Sequence, residues 1–323
     1  MEVRLGYVAM SVHVANASPS KTMTAAQFDK IGDKEAGLHK LERIAEENIH
    51  NCIRLLYHNR AYNIKFFRLS SRLIPLVGHE YTHGWNYMDE LAPHFQKLGE
   101  VAREDGVRID FHPDHFVLLN SPRKQVFDTS HKVLEHHIRM LTAMSLSPKH
   151  RCVMHVGGAY SDKEKALKRF VANWDKVSPE VRQAIMLEND DKVYTARDTL
   201  MLCETLGIPM VLDIHHHRCN PGQDADISSL LPRILATWSR SSLPPKMHIS
   251  SPRSDKNKRA HADYIRPEEL FPFLKEMARM TERLDIMVEA KQKDDAVLRL
   301  MDWVKREGEV HGIQAVNGGA FTV

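Results

Sequence analysis

Short apolar runs rich in Val, Ile, Leu and Met alternate along the chain with longer stretches in which apolar residues recur every third or fourth position. Eight such runs stand out: VRLGYVAM from Val3, IKFFRLS from Ile64, VRIDFHP from Val107, RCVMHVG from Arg151, AIMLEND from Ala184, IPMVLDIH from Ile208, PKMHIS from Pro245 and LDIMVEA from Leu284. Near-continuous apolar runs of this length predict strands buried on both faces, as in a parallel sheet covered by helices. Between the first two runs Leu38, Leu41, Ala45, Ile49, Cys52 and Leu56 draw one apolar stripe along a helix. Met88, Leu91, Phe95, Leu98 and Ala102 repeat it after the second run, and Val297, Leu300 and Val304 after the eighth. Strand followed by helix, eight times, predicts a single (β/α)₈ barrel, an α/β domain spanning residues 1–323. An open doubly wound sheet would announce a nucleotide site by a glycine-rich turn after its first strand. The loop Ser11 to Lys34 carries no G-x-G-x-x-G, so no nucleotide cofactor is expected. A second long loop, Ser250 to Arg266, follows the seventh run, and the stretch Gly308 to Val323 shows no period.

Composition narrows the class. The 323 residues are 42% hydrophobic and 27% charged, with a mean hydropathy of -0.41, which excludes a disordered or fibrous chain. No basic segment precedes an apolar run at the N-terminus and no stretch reaches membrane-spanning length, so neither a secretory signal nor a membrane partner is expected. Cys52, Cys152, Cys203 and Cys219 are scattered without C-x-x-C pairing, which points to a reducing cytoplasm and away from a thiolate metal site. The 20 histidines are the compositional anomaly.

Placed on the strands, the polar residues explain part of that excess. His112 closes the third strand, His155 the fourth, Glu188 the fifth, Asp213 the sixth, Lys246 and His248 the seventh, and Glu289 the eighth. The C-terminal ends of parallel barrel strands form one rim around one mouth, so these groups converge. Several carboxylates and imidazoles in one mouth would cost several kcal/mol per uncompensated charge unless cations neutralise them. Imidazole with carboxylate and no thiolate suits a divalent ion such as manganese or zinc. In the run Asp213-Ile214-His215-His216-His217, a continuing strand would turn His215 and His217 to the site, whereas a turn after Ile214 would return His216. Lys246 shares a strand face with His248, and its ammonium must pair with a carboxylate such as Glu188 or Glu289, pair with a phosphate, or be modified to a carbamate.

The net charge of +3 is located by the segment RSDKNKR, in which Arg253, Lys256, Lys258 and Arg259 face one acid, Asp255. Beside the mouth, such a loop suits a phosphodiester track. Tyr81, Trp85 and Tyr87, in the loop after the second strand, offer aromatic faces for stacking on bases or for local packing.

These residues together resemble the ultraviolet damage endonucleases, barrel-fold DNA repair enzymes distantly similar to endonuclease IV. The resemblance is carried by RLGY at Arg4 to Tyr7, SSRLIPLVGHE around His79, FHPDHF around His112, MHVGG around His155, LEND at Glu188, LDIHHH from Leu212, KMHISS at Lys246 and VEAK at Glu289. It implies up to three divalent ions, manganese first and then zinc, cobalt or magnesium, held by His79, His112, His155, Glu188, Asp213, His216, His248, His261 and Glu289. It selects His216 from the triple histidine, gives Lys246 as the active-site lysine, carbamylated in relatives, and places Tyr7 in the groove near the lesion. Where some relatives have His-Pro-Gly-Gln-Tyr, with Gln-Tyr probing the opposite strand, this chain has His112-Pro113-Asp114-His115-Phe116, which keeps an aromatic and loses the amide and the phenol.

The implied activity is metal-dependent hydrolysis of damaged double-stranded DNA on the 5′ side of pyrimidine dimers and 6-4 photoproducts, leaving a 3′-hydroxyl and a 5′-phosphate. Glu188 and Glu289 are expected as bridging ligands and Lys246 as the residue that positions the phosphate or supports the cluster. The enzyme is expected to be a cytoplasmic monomer, associated with the nucleoid when acting on DNA. A metal-dependent sugar isomerase would use the same ligand types on the same barrel but has no need of the RSDKNKR loop. An endonuclease of broader, abasic-site type would share the cluster, and a metal-stabilised DNA-binding module would share the ligands without cleaving.

Overall fold

A computed structural model describes residues 1–323. The parallel strands are β1 (Glu2–Val8), β2 (Phe66–Arg68), β3 (Arg108–Asp110), β4 (Cys152–His155), β5 (Ile185–Glu188), β6 (Met210–Asp213) and β7 (Lys246–Ile249). An antiparallel hairpin of β8 (Pro252–Ser254) and β9 (Asn257–His261) separates β7 from the eighth parallel strand, β10 (Arg283–Val288). β4, β5, β6, β7, β10, β1, β2 and β3 pair in that order, and a parallel bridge between Phe111 and Cys152 joins β3 to β4. All eight expected runs are strands, and they form a nearly closed barrel of eight parallel strands with surrounding helices.

The unassigned C-terminal stretch contains β11 (Gln314–Ala315) and β12 (Ala320–Thr322). β12 runs antiparallel to β1 at Glu2, Val3 and Arg4, whereas β2 pairs with β1 only from Gly6 to Val8. The terminal strand therefore satisfies backbone groups that the short β2 leaves free at the base of the barrel.

The helices in chain order are α1 (Ala25–Asp29), α2 (Lys34–Tyr62), α3 (Tyr87–Glu104), α4 (Lys124–Ala143), α5 (Lys163–Trp174), α6 (Pro179–Ala184), α7 (Ala196–Leu206), α8 (Ile214–Cys219), α9 (Leu231–Ala236), α10 (Pro267–Met277) and α11 (Lys293–Glu307). The stripe read on α2 is buried from Leu41 through Ala45, Ile49 and Cys52 to Leu56, and α3 buries Leu91, Phe95, Leu98 and Ala102. α2 starts where Asp33 accepts from the Ala36 amide at 2.8 Å and ends where Asn63 turns left-handed at φ 56°. No helix is long and apolar enough to cross a membrane.

Alternation along the strands divides the core in two. One set of side chains packs outward under the helices. Within the barrel, Val153, Met186 and Val211 pack with Trp238 as a small separate apolar cluster. The same inward face of β4, β5 and β6 continues, two residues on, to His155, Glu188 and Asp213 at the mouth.

Candidate metal centre and DNA-binding mouth

Glu188 is the hub. Its side chain is 1% exposed, with Oε2 2.8 Å from His112 Nε2 and Oε1 2.9 Å from His248 Nδ1. His216 Nδ1 lies 3.4 Å from Oε1, and His155 Nε2 lies 4.0 Å from Oε2. Burial alone would raise the Glu188 carboxyl, but His248, His155 and hydrogen bonds from His112 and His216 hold it well below the usual carboxylate range. His248 also stands 3.2 Å from Glu289 Oε1, and His261 Nδ1 lies 4.0 Å from Glu289 Oε2.

The sixth strand resolves the triple histidine. β6 stops at Asp213, which caps α8 by accepting from the His216 amide at 2.7 Å. The turn after Ile214 carries His216 back toward Glu188, while its Nδ1 is 3.0 Å from the Asn189 carbonyl. His215 is buried with Nε2 3.3 Å from the Arg259 carbonyl, and His217 is buried as well.

Two groups of ligand atoms, His112, His155 and Glu188, and Glu188, Asp213 and His248, each lie within 4.8 Å of one another and share Glu188. Oδ2 of Asp213 is buried without a hydrogen-bond partner. Burial, reinforced by the charges of Glu188 and Glu289 and opposed by His216, pushes the Asp213 carboxyl up to about 8. An orphaned carboxylate oxygen beside two further buried carboxylates fits a divalent cation, and the nitrogen and oxygen donor set fits one of the manganese or zinc type.

Several residues make contacts away from the Glu188 hub. His79 is at the start of a single 3₁₀ turn, Glu80–Thr82, where Nδ1 accepts from the Tyr81 amide at 3.3 Å and its ring packs 4.9 Å from that of Tyr81. It makes no ion pair with the carboxylates of the mouth. Tyr7 is fully buried, edge-on to Phe67 at 5.0 Å, and its hydroxyl donates to Asn59 of α2 at 2.7 Å. It faces the helix layer, so it presents no surface to DNA. Tyr81 stacks on Phe28 at 5.2 Å, the Trp85 indole donates to Glu42 at 2.9 Å and Tyr87 meets His136 at 2.7 Å, so these aromatics pack locally.

Lys246 pairs with neither Glu188 nor Glu289. The strand register sets it beside Asp285, one step below His248, and its buried Nζ donates to Asp110 Oδ2 at 3.1 Å. Burial lowers the ammonium to about 8, with Asp110 opposing and Arg108 and Arg68 reinforcing the shift. Arg108 bridges Asp110 at 3.1 Å and Asp285 at 2.9 Å, and Arg4 reaches Asp285 with two nitrogens at 2.7 Å. Arg68 at the end of β2 meets Glu289 at 2.5 Å. No expectation included Arg68, Arg108 or Asp110, although the strand-end rule applied to FFRLS would have brought Arg68 to the mouth.

On the rim, Phe116 is 67% exposed and its ring lies 4.0 Å from that of the exposed His115. Arg253, Lys256, Lys258 and Arg259 are all exposed on the hairpin of β8 and β9.

The model of the family described as UV-endonuclease UvdE matches residues 3–321. The chain belongs to that family. With the UvdE family it is placed among DNA repair endonucleases, enzymes acting on DNA. A UV DNA damage endonuclease of Halalkalibacterium halodurans is 51% identical over 93% of this chain and 94% of its own length, and one of Bacillus cereus is 38% identical over 98% of each. The crystal structure of SacUVDE matches with a TM-score of 0.82 at 27% identity, over 95% of this chain and 99% of that one. Endonuclease IV from Thermus thermophilus, at 13% identity and a TM-score of 0.54, and an L-ribulose 3-epimerase, at 14% and 0.54, share the fold alone. Nuclease and sugar epimerase thus stand on one barrel, and UvdE membership rather than the barrel separates the two readings.

Proposed function

We propose that this chain nicks double-stranded DNA on the 5′ side of ultraviolet photoproducts, leaving a 3′-hydroxyl and a 5′-phosphate. The observation that carries the reading is Glu188, buried and surrounded by four imidazoles in the mouth of a UvdE-family barrel. His112, His155, Glu188, Asp213, His216, His248, His261 and Glu289 would hold divalent cations, manganese first. His79, packed against Tyr81, is carried in that set by the family resemblance alone. Such ions supply an activated water and neutralise charge on the phosphate when bound.

The chain's own groups do the rest. Glu188 fixes the orientation of the imidazoles around it, and Arg68 fixes Glu289. Lys246, buried on Asp110 beneath the cluster, supports it from below. The hairpin cations track the DNA backbone, and Phe116 with His115 offers an exposed aromatic edge at a base step already weakened by damage, where unstacking costs least.

Supercoiled plasmid, irradiated or not, tests the reading with purified protein and added manganese. Relaxed circles from irradiated plasmid alone, with nicks that a polymerase extends directly, are expected. Binding without nicking under every divalent ion would remove the nuclease assignment. Equal nicking of an abasic duplex would replace photoproduct selectivity with a broader lesion range.

A further inference from the structure

Cations as well as carboxylates line the mouth. Arg68 donates from Nη1 to Glu289 Oε1 at 2.5 Å, and the two side chains are 13% and 12% exposed. This is the only hydrogen bond its guanidinium makes, so its remaining donors have no acceptor in the protein. Lys293 follows Glu289 by four residues, at the start of α11, and is half-buried without any hydrogen bond or ion pair to its ammonium. Burial lowers the Lys293 ammonium, Arg68 adds to the effect and Glu289 opposes it, so the three charges lie within electrostatic range of one another.

The backbone holds Lys293 there against its preference. Its φ is 50°, in the left-handed region that disfavours side chains other than glycine. Anchors on both sides fix it. The Lys291 amide donates to Ala262 at 3.0 Å and the Gln292 amide to Asp263 at 3.2 Å, tying this loop to the one after β9. On the other side Asp294, fully buried, accepts from Ser11 Oγ, from the Val12 amide at 2.8 Å and lies 2.9 Å from His58 Nε2. A half-buried, unpaired ammonium four residues after Glu289 and a guanidinium with free donors bonded to Glu289 are complementary to an anion that the protein itself does not provide.

We propose that Arg68 and Lys293 form an anion clamp for the non-bridging oxygens of a DNA phosphodiester, holding the backbone against the Glu289 edge of the carboxylate cluster. Naming DNA as the source of that phosphate rests on the function proposed above.

The test is binding of a fluorescent duplex by the full chain in EDTA, across a salt series, with Lys293→Met, Lys293→Arg and Arg68→Gln beside the wild type. Methionine keeps the length of lysine without its charge, and glutamine can still donate to Glu289. Each neutral variant should flatten the logarithmic salt dependence of binding by about 0.9, one phosphate contact, and Lys293→Arg should restore it. Nicking of irradiated plasmid should fall at least about tenfold in the neutral variants. Metal content by elemental analysis and the melting temperature of Lys293→Met should stay at wild-type values. Unchanged salt slopes in folded variants would overturn the clamp, as would lost metal with an unchanged slope, which would make these residues supports of the cluster. Should the wild type fail to nick irradiated DNA while the slopes still fall, the proposed activity is wrong and the clamp stands.

Discussion

Neutralising the hairpin should change how DNA binding responds to salt by an amount the structure sets. Arg253, Lys256, Lys258 and Arg259 are all exposed, and only Arg259 has a carboxylate in reach, Asp191 at 3.5 Å. Each cation that meets a phosphate releases counterions and contributes about 0.9 to the slope of log affinity against log salt. Four contacts give a slope change of about 3.6, and three, with Arg259 left to Asp191, about 2.7. Between about 50 and 200 mM salt, the wild type should therefore lose roughly 40- to 150-fold more affinity than a variant with all four changed to glutamine. Anisotropy of a labelled duplex in EDTA reads this without nicking. Irradiated and undamaged duplexes should lose alike, because phosphates position the protein and carry no lesion information. An unchanged slope would make the hairpin a bystander. A loss confined to irradiated DNA would show that it reads the lesion and that the phosphate count is wrong.

Two further outcomes follow from the buried groups. Glu289→Ala removes the carboxylate that His248, His261 and Arg68 share. Nicking should fall about 100-fold or more, the upper end of what loss of a mere supporting partner costs, while binding of damaged duplex in EDTA survives; equal nicking would remove Glu289 from the mechanism. His137, buried in α4 with Nε2 unpartnered, is lowered to about 4 by burial, opposed by its bond to the Val133 carbonyl. The unfolded chain, with histidine near 6.5, takes up the proton first, so His137 costs no stability above pH 6.5 and its penalty grows as pH falls toward 4. It should reach about 2 kcal/mol by pH 5, and urea unfolding at pH 7 and pH 5 should show that His137→Met loses correspondingly less than the wild type. An identical loss in both proteins would place the acid-sensitive group elsewhere.

The strands were legible because each is buried on both faces and so writes an unbroken apolar run. Their ends were legible because barrel geometry sends them to one rim, which brought Glu188, His112, His155 and His248 together on strand logic alone. His216 needed one fact more, that Asp213 is an N-cap and not a strand interior. Tyr7 also needed a structural fact: Arg4 faces inward to Asp285, and an odd step of three turns Tyr7 to the helices. β11 and β12, of two and three residues, are too short to show a period. The pairing of Lys246 with Asp110 joins residues 136 apart, and only the closed barrel brings them level.

That pairing bears on how charge is balanced around the mouth. Beneath the cluster, Arg4, Arg108, Arg151 and Lys246 surround two carboxylates, Asp110 and Asp285. Above it, Glu188, Asp213 and Glu289 face Arg68, the ammonium of Lys293 and His216, an imidazole that Asp213 and Glu188 push up to about 11 against the effect of burial. Cations therefore outnumber carboxylates in the lower layer, whereas in the upper layer the two are matched. Against burial, the imidazoles around it hold Glu188 low and Arg68 holds Glu289 low, while Asp213, buried beside both carboxylates, is pushed up to about 8. Lys246 is the member of the lower layer one strand step from His248, and its charge adds to the burial that lowers that imidazole to about 4. In the clamp proposed above, the phosphate is met instead by Arg68, bonded to Glu289, and by Lys293, four residues further along the chain.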